Sequence, residues 1–328
     1  MRKILITGAA GFTGVNLVPA LLQRGYSVRV LIRQTTNLQN LNGLDCEPVF
    51  GDIRDPDVVR RALQGCDLVF HLAALVAYWN ATREEVYSVN AEGTRVVMQE
   101  CLKAEIEKVV HTSSVSAIGI PSLGEVATEK TPFDARSRKI AYSDSKRLAE
   151  LHVQNAVQQG LNGVIVNPAQ IMGPGDHGMY MGNVLRTVKR GYIPVVPSGG
   201  LCVVDVNAVV AGLMAAADHG QIGQRYILGG ENLSYLEICT NIADVVGRRA
   251  PRHIVPRWFL PPIARAVDAY NSVVGKADTI TGEHVLLGAD QLYYDSSKAI
   301  SELGFAILPF RDALSNAYQW YKVNGYLE

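Results

Sequence analysis

The sequence predicts an α/β fold, a doubly wound parallel sheet followed by a smaller, mostly helical C-terminal substrate lobe. In the first half, short apolar runs alternate with amphipathic stretches, and a glycine-rich turn joins the first run to the first helix. This regularity is lost after Pro168. Strands that alternate with helices are typical of parallel βαβ units with right-handed crossovers. We therefore expect a nucleotide-binding domain over residues 1–168, with later returns near 201–229, and a substrate lobe over 169–328.

The expected strands of the first domain are Ile4–Thr7, Ser27–Ile32, Glu47–Phe50, Asp67–Leu72, Lys108–Thr112 and Gly163–Val166. Its expected helices are Phe12–Arg24, Pro56–Gln64, Arg83–Ala104 and Ser143–Gln159. Later segments predict two helices, at Met179–Arg190 and Val206–Ala217, and two short strands, at Ile193–Pro197 and Leu201–Val204. A further strand at Tyr226–Leu228 is expected to return to the main sheet. From Leu233 the pattern is mostly helical, and the stretch 257–274 is either a lid or an amphipathic helix that covers the core.

Composition excludes several classes of function. The 328 residues include 31 Lys and Arg against 31 Asp and Glu, so the net charge gives no reason to expect nucleic acid or a membrane as partner. No apolar run approaches the ~18–20 residues of a membrane span, and the N-terminal run is too short for a signal peptide, so we expect a cytoplasmic protein. Neither the five cysteines nor the seven histidines have metal-ligand spacing, so we expect no metal.

The glycine-rich turn predicts a dinucleotide site. Residues 7–14 read TGAAGFTG, in which Gly8, Gly11 and Gly14 are spaced GxxGxxG between a strand and a helix. These glycines permit a tight turn, an approach of the backbone to a pyrophosphate, and close packing of the helix on the sheet. The N–H groups at the start of the helix then face the anion, so Phe12 and Thr13 join the site. The context predicts a Rossmann sheet.

The residue after the second strand favours NADP(H). Enzymes that use NAD usually have Asp or Glu there for the ribose 2′-hydroxyl, whereas this chain has Arg33 and no acidic residue before Asp45. A guanidinium without an opposing carboxylate suits a 2′-phosphate. NAD(H) stays possible, because Arg33 could instead be solvated or stack on the adenine.

The proton-transfer groups are predicted at Tyr142 and Lys146, which share one face of a helix, and at a serine that follows the fifth strand, Ser113 or Ser114. An ammonium beside a phenol favours its ionised form, so the phenol can give or take a proton near neutral pH. Other candidates also lie where strands end, the edge at which doubly wound sheets bind ligands. Those expected on the cofactor are Asp52, Ile53, Leu72, Ala73, Ala74, Thr112, Asn167 and Pro168, and those expected on the substrate are Val76, Tyr78, Ser114, Gln170 and Tyr180.

Two of these assignments have structural alternatives. Asp52 either bonds the adenine amine or is a turn residue that opens the helix at Pro56. Asn90, in the long helix, either bridges backbone or water behind Lys146 or caps locally.

The motifs together resemble the extended short-chain dehydrogenase/reductase family, over almost the whole chain. The resemblance depends on TGAAGFTG at 7–14, GDIRD at 51–55, HLAA at 71–74, HTSS at 111–114, YSDSK at 142–146 and NPAQIMGPGD at 167–176. It implies that Ser114, Tyr142 and Lys146 are the catalytic triad, and that Pro168 lies near the nicotinamide. It also implies a homodimer formed through the helices at 83–104 and 143–159.

Within this family the chain looks most like dihydroflavonol-reductase-like proteins and hopanoid-associated sugar epimerases, on the stretches at 28–41 and 225–233. It departs from nucleotide-sugar enzymes at Ile118, Asn167, Gln170 and Leu201, the last in place of a frequent arginine. A diphosphate needs positive charge there. We therefore expect an NADP(H)-dependent reductase of a carbonyl on a small, fairly apolar molecule. The alternatives are a sugar epimerase or dehydratase and a catalytically silent sensor of NADP(H).

Overall fold

The computed structural model describes residues 2–76, 81–191, 193–274 and 282–327. Seven strands form its main sheet: β1 (Lys3–Thr7), β2 (Ser27–Ile32), β3 (Cys46–Phe50), β4 (Leu68–His71), β5 (Lys108–Thr112), β6 (Gly163–Pro168) and β10 (Arg225–Leu228). Their order is β10-β6-β5-β4-β1-β2-β3, and every pairing is parallel. The predicted doubly wound sheet is confirmed, including the return of residues 226–228 to its edge.

Helices cover both faces of this sheet, because alternate side chains of a strand point to opposite sides. On β1, Ile4 and Ile6 pack with one apolar core and Leu5 with the other. The first core includes α1 (Phe12–Gln23), α8 (Val206–His219) and α12 (Ser297–Leu303). The second includes α2 (Pro56–Leu63), α4 (Gly93–Lys103) and α6 (Ala141–Gln158). Strands buried on both faces explain the nearly continuous apolar runs in the sequence.

The long helix predicted at 83–104 is interrupted. It consists of α3 (Arg83–Tyr87), a π-helical turn at Ser88–Glu92, and α4. Thr82 and Glu85 form a capping box that fixes the beginning of α3. Such π turns occur frequently at functional sites, and this one contains Asn90. Apolar periodicity alone does not reveal a single extra residue in a helical turn.

The second lobe combines helices with short strands. Its sheet contains β7 (Gln170–Met172), β9 (Gly200–Asp205), β11 (Glu231–Ser234) and β13 (Gln291–Leu292), and β8 (Val195–Pro197) pairs with β12 (His253–Val255). The remaining helices are α5 (Ala135–Lys139), α7 (Gly182–Lys189), α9 (Tyr235–Val246), α10 (Leu260–Val274), α11 (Gly282–Leu287) and α13 (Phe310–Val323), with 3₁₀ turns at Gln39–Leu41, Val115–Ala117 and Arg257–Phe259. Several of these strands were not predicted, because two to four residues are too few for a readable period.

Residues 201–229 divide between the two lobes: α8 and β10 belong to the main sheet and its helices, and β9 is the centre of the second sheet. A third apolar core joins α7, α9 and α13 to β9. Among the described helices, none has both the length and the hydrophobicity needed to span a bilayer.

Candidate active site

The turn between β1 and α1 packs against the residues that follow β4. Gly8 has φ +75°, and a Cβ there would lie 2.6 Å from the backbone nitrogen of Ala73. A Cβ on Gly14 would lie 2.4 Å from the carbonyl oxygen of Ala9. Any side chain at these positions would therefore push the turn away from the sheet edge or from its own helix.

The N-terminus of α1 has open donors. Gly11 is its N-cap residue and provides no side-chain hydrogen bond, and the first turn, which includes Phe12 and Thr13, contains no acidic residue. The first backbone N–H groups of a helix have no partner within the helix. Together with the glycine cradle, this arrangement fits the pyrophosphate of a dinucleotide.

A chain of hydrogen bonds fixes the carboxyl ends of β1 and β4. The Thr94 hydroxyl donates to the carbonyl of Asn90 (2.6 Å), so it accepts from Nε2 of His71 (2.9 Å). Nδ1 of His71 then accepts from the hydroxyl of Thr7 (2.7 Å), whose oxygen accepts from the N–H of Ala73 (3.2 Å). The cofactor edge predicted at residues 72–74 is thus held in place by neutral side chains.

His71 stays neutral because it is completely buried. Burial lowers its pKa to about 3, and the positive charge of Lys146 contributes further. The imidazole can therefore accept one hydrogen bond and donate the other at any physiological pH. We infer a structural role for His71 in ordering the cofactor edge.

Asn90 connects the residues after β4 to α6. Its Oδ1 accepts from the N–H of Leu75 (2.7 Å), and its Nδ2 donates to the carbonyl of Leu75 (3.1 Å) and to Oγ of Ser145 (3.0 Å). The Ser145 hydroxyl in turn donates to the carbonyl of Tyr142 (2.8 Å). The expectation that Asn90 bridges backbone agrees with these bonds, whereas the alternative in which it caps locally was wrong. Asn90 joins the loop beside Val76 to Ser145, which directly precedes Lys146 on α6.

Lys146 is buried beside the end of β5. Its Nζ donates to the carbonyl of Thr112 (2.8 Å), and the side chain is 2% exposed. Burial lowers the pKa of Lys146 to about 8, although the negative charge of Glu150 opposes this shift. Tyr142 is also buried and lies one turn earlier on α6, so both side chains occupy the same face of the helix.

Ser114 is the N-cap residue of the turn Val115–Ala117. Its Oγ accepts a hydrogen bond from the N–H of Ser116 (3.1 Å), which leaves the hydroxyl proton available for a substrate oxygen. The neighbouring hydroxyls of Thr112 and Ser113 are buried and have no partner among the described residues. Buried polar atoms without partners are costly, so a bound cofactor that supplies a partner at Thr112 fits this edge.

Asn167 supports Ser114 from behind. Its Nδ2 donates to the carbonyl of Ser114 (2.8 Å) and to Oε1 of Glu150 (2.6 Å), and the side chain is completely buried. The other oxygen of Glu150 pairs with Arg147 (3.1 Å) and Arg225 (3.2 Å). The contact of Asn167 with a cofactor stays a prediction, as does that of Pro168 at the end of β6.

The positions expected to hold the adenosine end lie after β2 and β3. The side chain of Arg33 is exposed and forms no hydrogen bond or ion pair within the described part of the chain. The carboxylate of Asp52 accepts from Nε (2.9 Å) and Nη2 (2.7 Å) of Arg54, which lowers the pKa of Asp52, and the charge of Arg33 contributes less. Asp55 caps α2, and Asp52 begins the turn that leads into this helix, because its carbonyl accepts from the N–H of Asp55 (3.1 Å). The alternative in which Asp52 is a turn residue before α2 agrees with this geometry, and its contact with the adenine stays a prediction.

The predicted substrate residues come from both lobes, since Val76 and Ser114 follow strands of the main sheet. Val76 and Gln170 are half-buried and Tyr180 is exposed, whereas Tyr78 lies outside the described residues. On β9, the register partners of Leu201 are Leu233 and Leu292. The position at which nucleotide-sugar enzymes often have an arginine is therefore flanked by apolar residues.

Comparisons with known proteins agree with this architecture. Residues 4–229 match the model of the NAD dependent epimerase/dehydratase family. The chain is 36% identical to a Synechocystis protein named as a dihydroflavonol 4-reductase, covering 98% of this chain and 95% of the relative. It is 33% identical to sterol demethylase protein B of Methylococcus capsulatus, covering 98% of each. The crystal structure of gox2253 superposes with a TM-score of 0.89 over all of both chains, at 33% identity.

The matches cover both lobes. They establish a nicotinamide dinucleotide as the kind of cofactor. The chain belongs to the NAD-dependent epimerase/dehydratase family and is an enzyme of the extended short-chain dehydrogenase/reductase type.

Proposed function

We propose that this enzyme reduces a ketone or aldehyde on a small, fairly apolar molecule with NADPH, or oxidises the corresponding alcohol. One observation favours a reductase over a nucleotide-sugar enzyme. Leu201 lies between Leu233 and Leu292, where a diphosphate would need a cation. An apolar substrate would instead gain from burial against this surface.

The relatives support the same substrate class. One is named as a dihydroflavonol reductase and another after sterol demethylation, and both align over nearly their whole length. Both names refer to polycyclic molecules with oxygen on a ring. The names of the epimerases and dehydratases among the solved structures carry less weight, because their identities to this chain are mostly below 25%.

The residues of α6 and the β5 edge provide the proton transfer. A bound nicotinamide supplies the hydride that reduces the carbonyl carbon. Tyr142 donates its proton to the carbonyl oxygen, and Ser114 donates a hydrogen bond to the same oxygen. Lys146, held by the carbonyl of Thr112, favours the ionised Tyr142 that this transfer leaves. Bulk water then returns the proton to Tyr142.

The preference for NADP(H) follows from the charges near Arg33. Asp52 is the nearby carboxylate, and Arg54 already neutralises it through paired hydrogen bonds. Arg33 is therefore free to meet a 2′-phosphate. NAD(H) can also bind here, but it has no 2′-phosphate to contact the guanidinium of Arg33.

A panel of cyclic and aryl ketones with NADPH tests the proposal. With at least some members of the panel we expect NADPH oxidation, measured as a loss of absorbance at about 340 nm. About one equivalent of NADPH should be consumed for each product formed. We also expect no thermal shift with UDP- or dTDP-sugars. A shift of several degrees with a nucleotide sugar, together with cofactor that copurifies tightly, would instead identify an epimerase.

A further inference from the structure

The second lobe exposes a group of apolar and aromatic side chains around the turn 257–259 and α10. Trp258 is 76% exposed, Tyr270 64% and Val273 86%, and Ile254 and Phe259 are about half exposed. We refer to these five residues as the α10 surface. We propose that the α10 surface docks the enzyme onto a bilayer that contains anionic phospholipid.

The periodicity of α10 shows that this exposure is systematic. Leu260 and Ala264 are buried on the inner side of the helix. On the opposite side, one stripe contains the exposed residues Pro262, Ala266, Ala269 and Val273. A helix that packs on one face of a soluble protein normally has polar residues on the other. This helix has an apolar outer stripe with no covering element in the described structure.

The charges around this surface are mostly positive, although Asp268 is exposed on α10 itself and the exposed Asp244 precedes the first arginine. Between Val245 and Val267 the sequence has five arginines and no aspartate or glutamate, although the whole chain has no net charge. All five are exposed, and Arg249, Arg252 and Arg265 form no ion pair with any described residue. The zero net charge of the whole chain, which argued against a membrane partner, therefore does not apply to this region, where the net charge is positive.

This combination favours a lipid surface over a second copy of the chain. Aromatic and apolar side chains that enter the headgroup region, flanked by arginines that meet lipid phosphates, are typical of interfacial helices. A two-fold dimer would bring together two copies of a surface with net positive charge. Anionic lipid complements the charge, whereas self-association opposes it.

The α10 surface is connected to the helix that contains Tyr142. Arg257 pairs with the buried carboxylate of Asp290 (3.3 Å), and Arg136 pairs with the same carboxylate. Arg136 belongs to α5, which ends directly before α6. Docking through this surface would therefore bring the active-site region close to a phase in which apolar alcohols and ketones concentrate.

Vesicle flotation with the full-length protein tests docking without any need for turnover. We expect binding to vesicles of phosphatidylglycerol and phosphatidylcholine, and much weaker binding to phosphatidylcholine alone. Val273→Glu should weaken binding at least tenfold, whereas Val323→Glu, at an 83% exposed position on α13, should not. The double substitution Arg249→Glu and Arg252→Glu should lower the affinity for anionic vesicles about fivefold or more per arginine. The matched pair Arg61→Glu and Arg311→Glu should lower this affinity much less.

Fluorescence gives a second readout. Brominated lipid should quench the emission of Trp258, measured as the difference between the protein and Trp258→Phe. The proposal is overturned if the protein does not float with anionic vesicles, or if Val273→Glu and Val323→Glu behave alike. It is also overturned if sedimentation shows self-association that Val273→Glu abolishes while vesicles are not bound, because a second copy then covers the surface.

Discussion

Glu150 follows Lys146 by one turn of α6, and both side chains are buried, at 0% and 2% exposed. The carboxylate raises the pKa of Lys146 against the larger effect of burial, which brings it to about 8. The same carboxylate binds Asn167, which supports the carbonyl of Ser114. One buried acid thus affects both the charge of Lys146 and the position of Ser114.

Glu150→Gln should therefore move the alkaline limb of the pH–rate profile to lower pH. Activity needs the ammonium form of Lys146 and is lost as pH rises through its pKa, which falls once the opposing negative charge is removed. The profile of kcat/KM against pH measures this. Glu100→Gln is a matched control, because Glu100 on α4 is also buried and also pairs with two cations, Arg60 and Lys103. If the alkaline limb lies at the same pH in both variants, the charge of Glu150 does not affect Lys146.

Lys146→Met should stabilise the protein at pH 7 while it abolishes turnover. The lysine pKa is lowered from 10.5 to about 8, so below pH 8 its buried charge costs free energy, and this cost disappears as pH rises from about 8 to 10.5. This pKa shift corresponds to a stabilisation of Lys146→Met by at most ~3 kcal/mol. The hydrogen bond to Thr112 that is lost reduces this gain by ~1 kcal/mol. Urea unfolding at pH 7 and pH 10 measures the difference. A loss of stability at pH 7, or a gain that is independent of pH, would be inconsistent with this cost.

Tyr142→Phe should remove the proton donor and leave cofactor binding nearly unchanged. General acid catalysis contributes about 10²–10⁴-fold, so kcat should fall by that factor. Steady-state kinetics and titration with NADP⁺ measure the two effects separately. Tyr26→Phe is the control, because Tyr26 directly precedes β2, at the end of the strands opposite to the site. A decrease of less than roughly tenfold would show that Tyr142 is not the acid.

Arg33→Asp should reverse the cofactor preference, because the new carboxylate repels a 2′-phosphate and suits a ribose hydroxyl. Arg54→Gln should also weaken NADP⁺ relative to NAD⁺, since it frees the charge of Asp52. Isothermal titration with both cofactors measures the ratio of affinities, and Arg61→Asp on α2 should not change it. If the unmodified protein binds NAD⁺ as tightly as NADP⁺, the role of Arg33 is different.

The main sheet was predictable because its signals are local. Buried parallel strands give apolar runs, and the glycines at 8, 11 and 14 mark the first crossover. Strand ends then meet at one edge by topology, which placed Ser114 and Thr112 beside the helix with Lys146. These inferences need no knowledge of distant contacts.

The supporting contacts were not predictable, because they join residues far apart in sequence. Arg225 reaches Glu150 across 75 positions, and Asn90 reaches Ser145 across 55 through a π turn without a sequence signature. The exposed side of α10 was also ambiguous, because an apolar stripe reads the same whether it faces the core or the solvent. Only the packing of Leu260 and Ala264 distinguishes the two.

The central claim is net reduction by hydride transfer, and isotope transfer from NADPH deuterated at C4 tests it most directly. Once a carbonyl substrate is found, mass spectrometry of the product measures the outcome. The account predicts one deuterium on the carbinol carbon and one NADP⁺ released for each product formed. An altered substrate without deuterium and without net consumption of NADPH would contradict it, because an epimerase returns the hydride to the molecule from which it came.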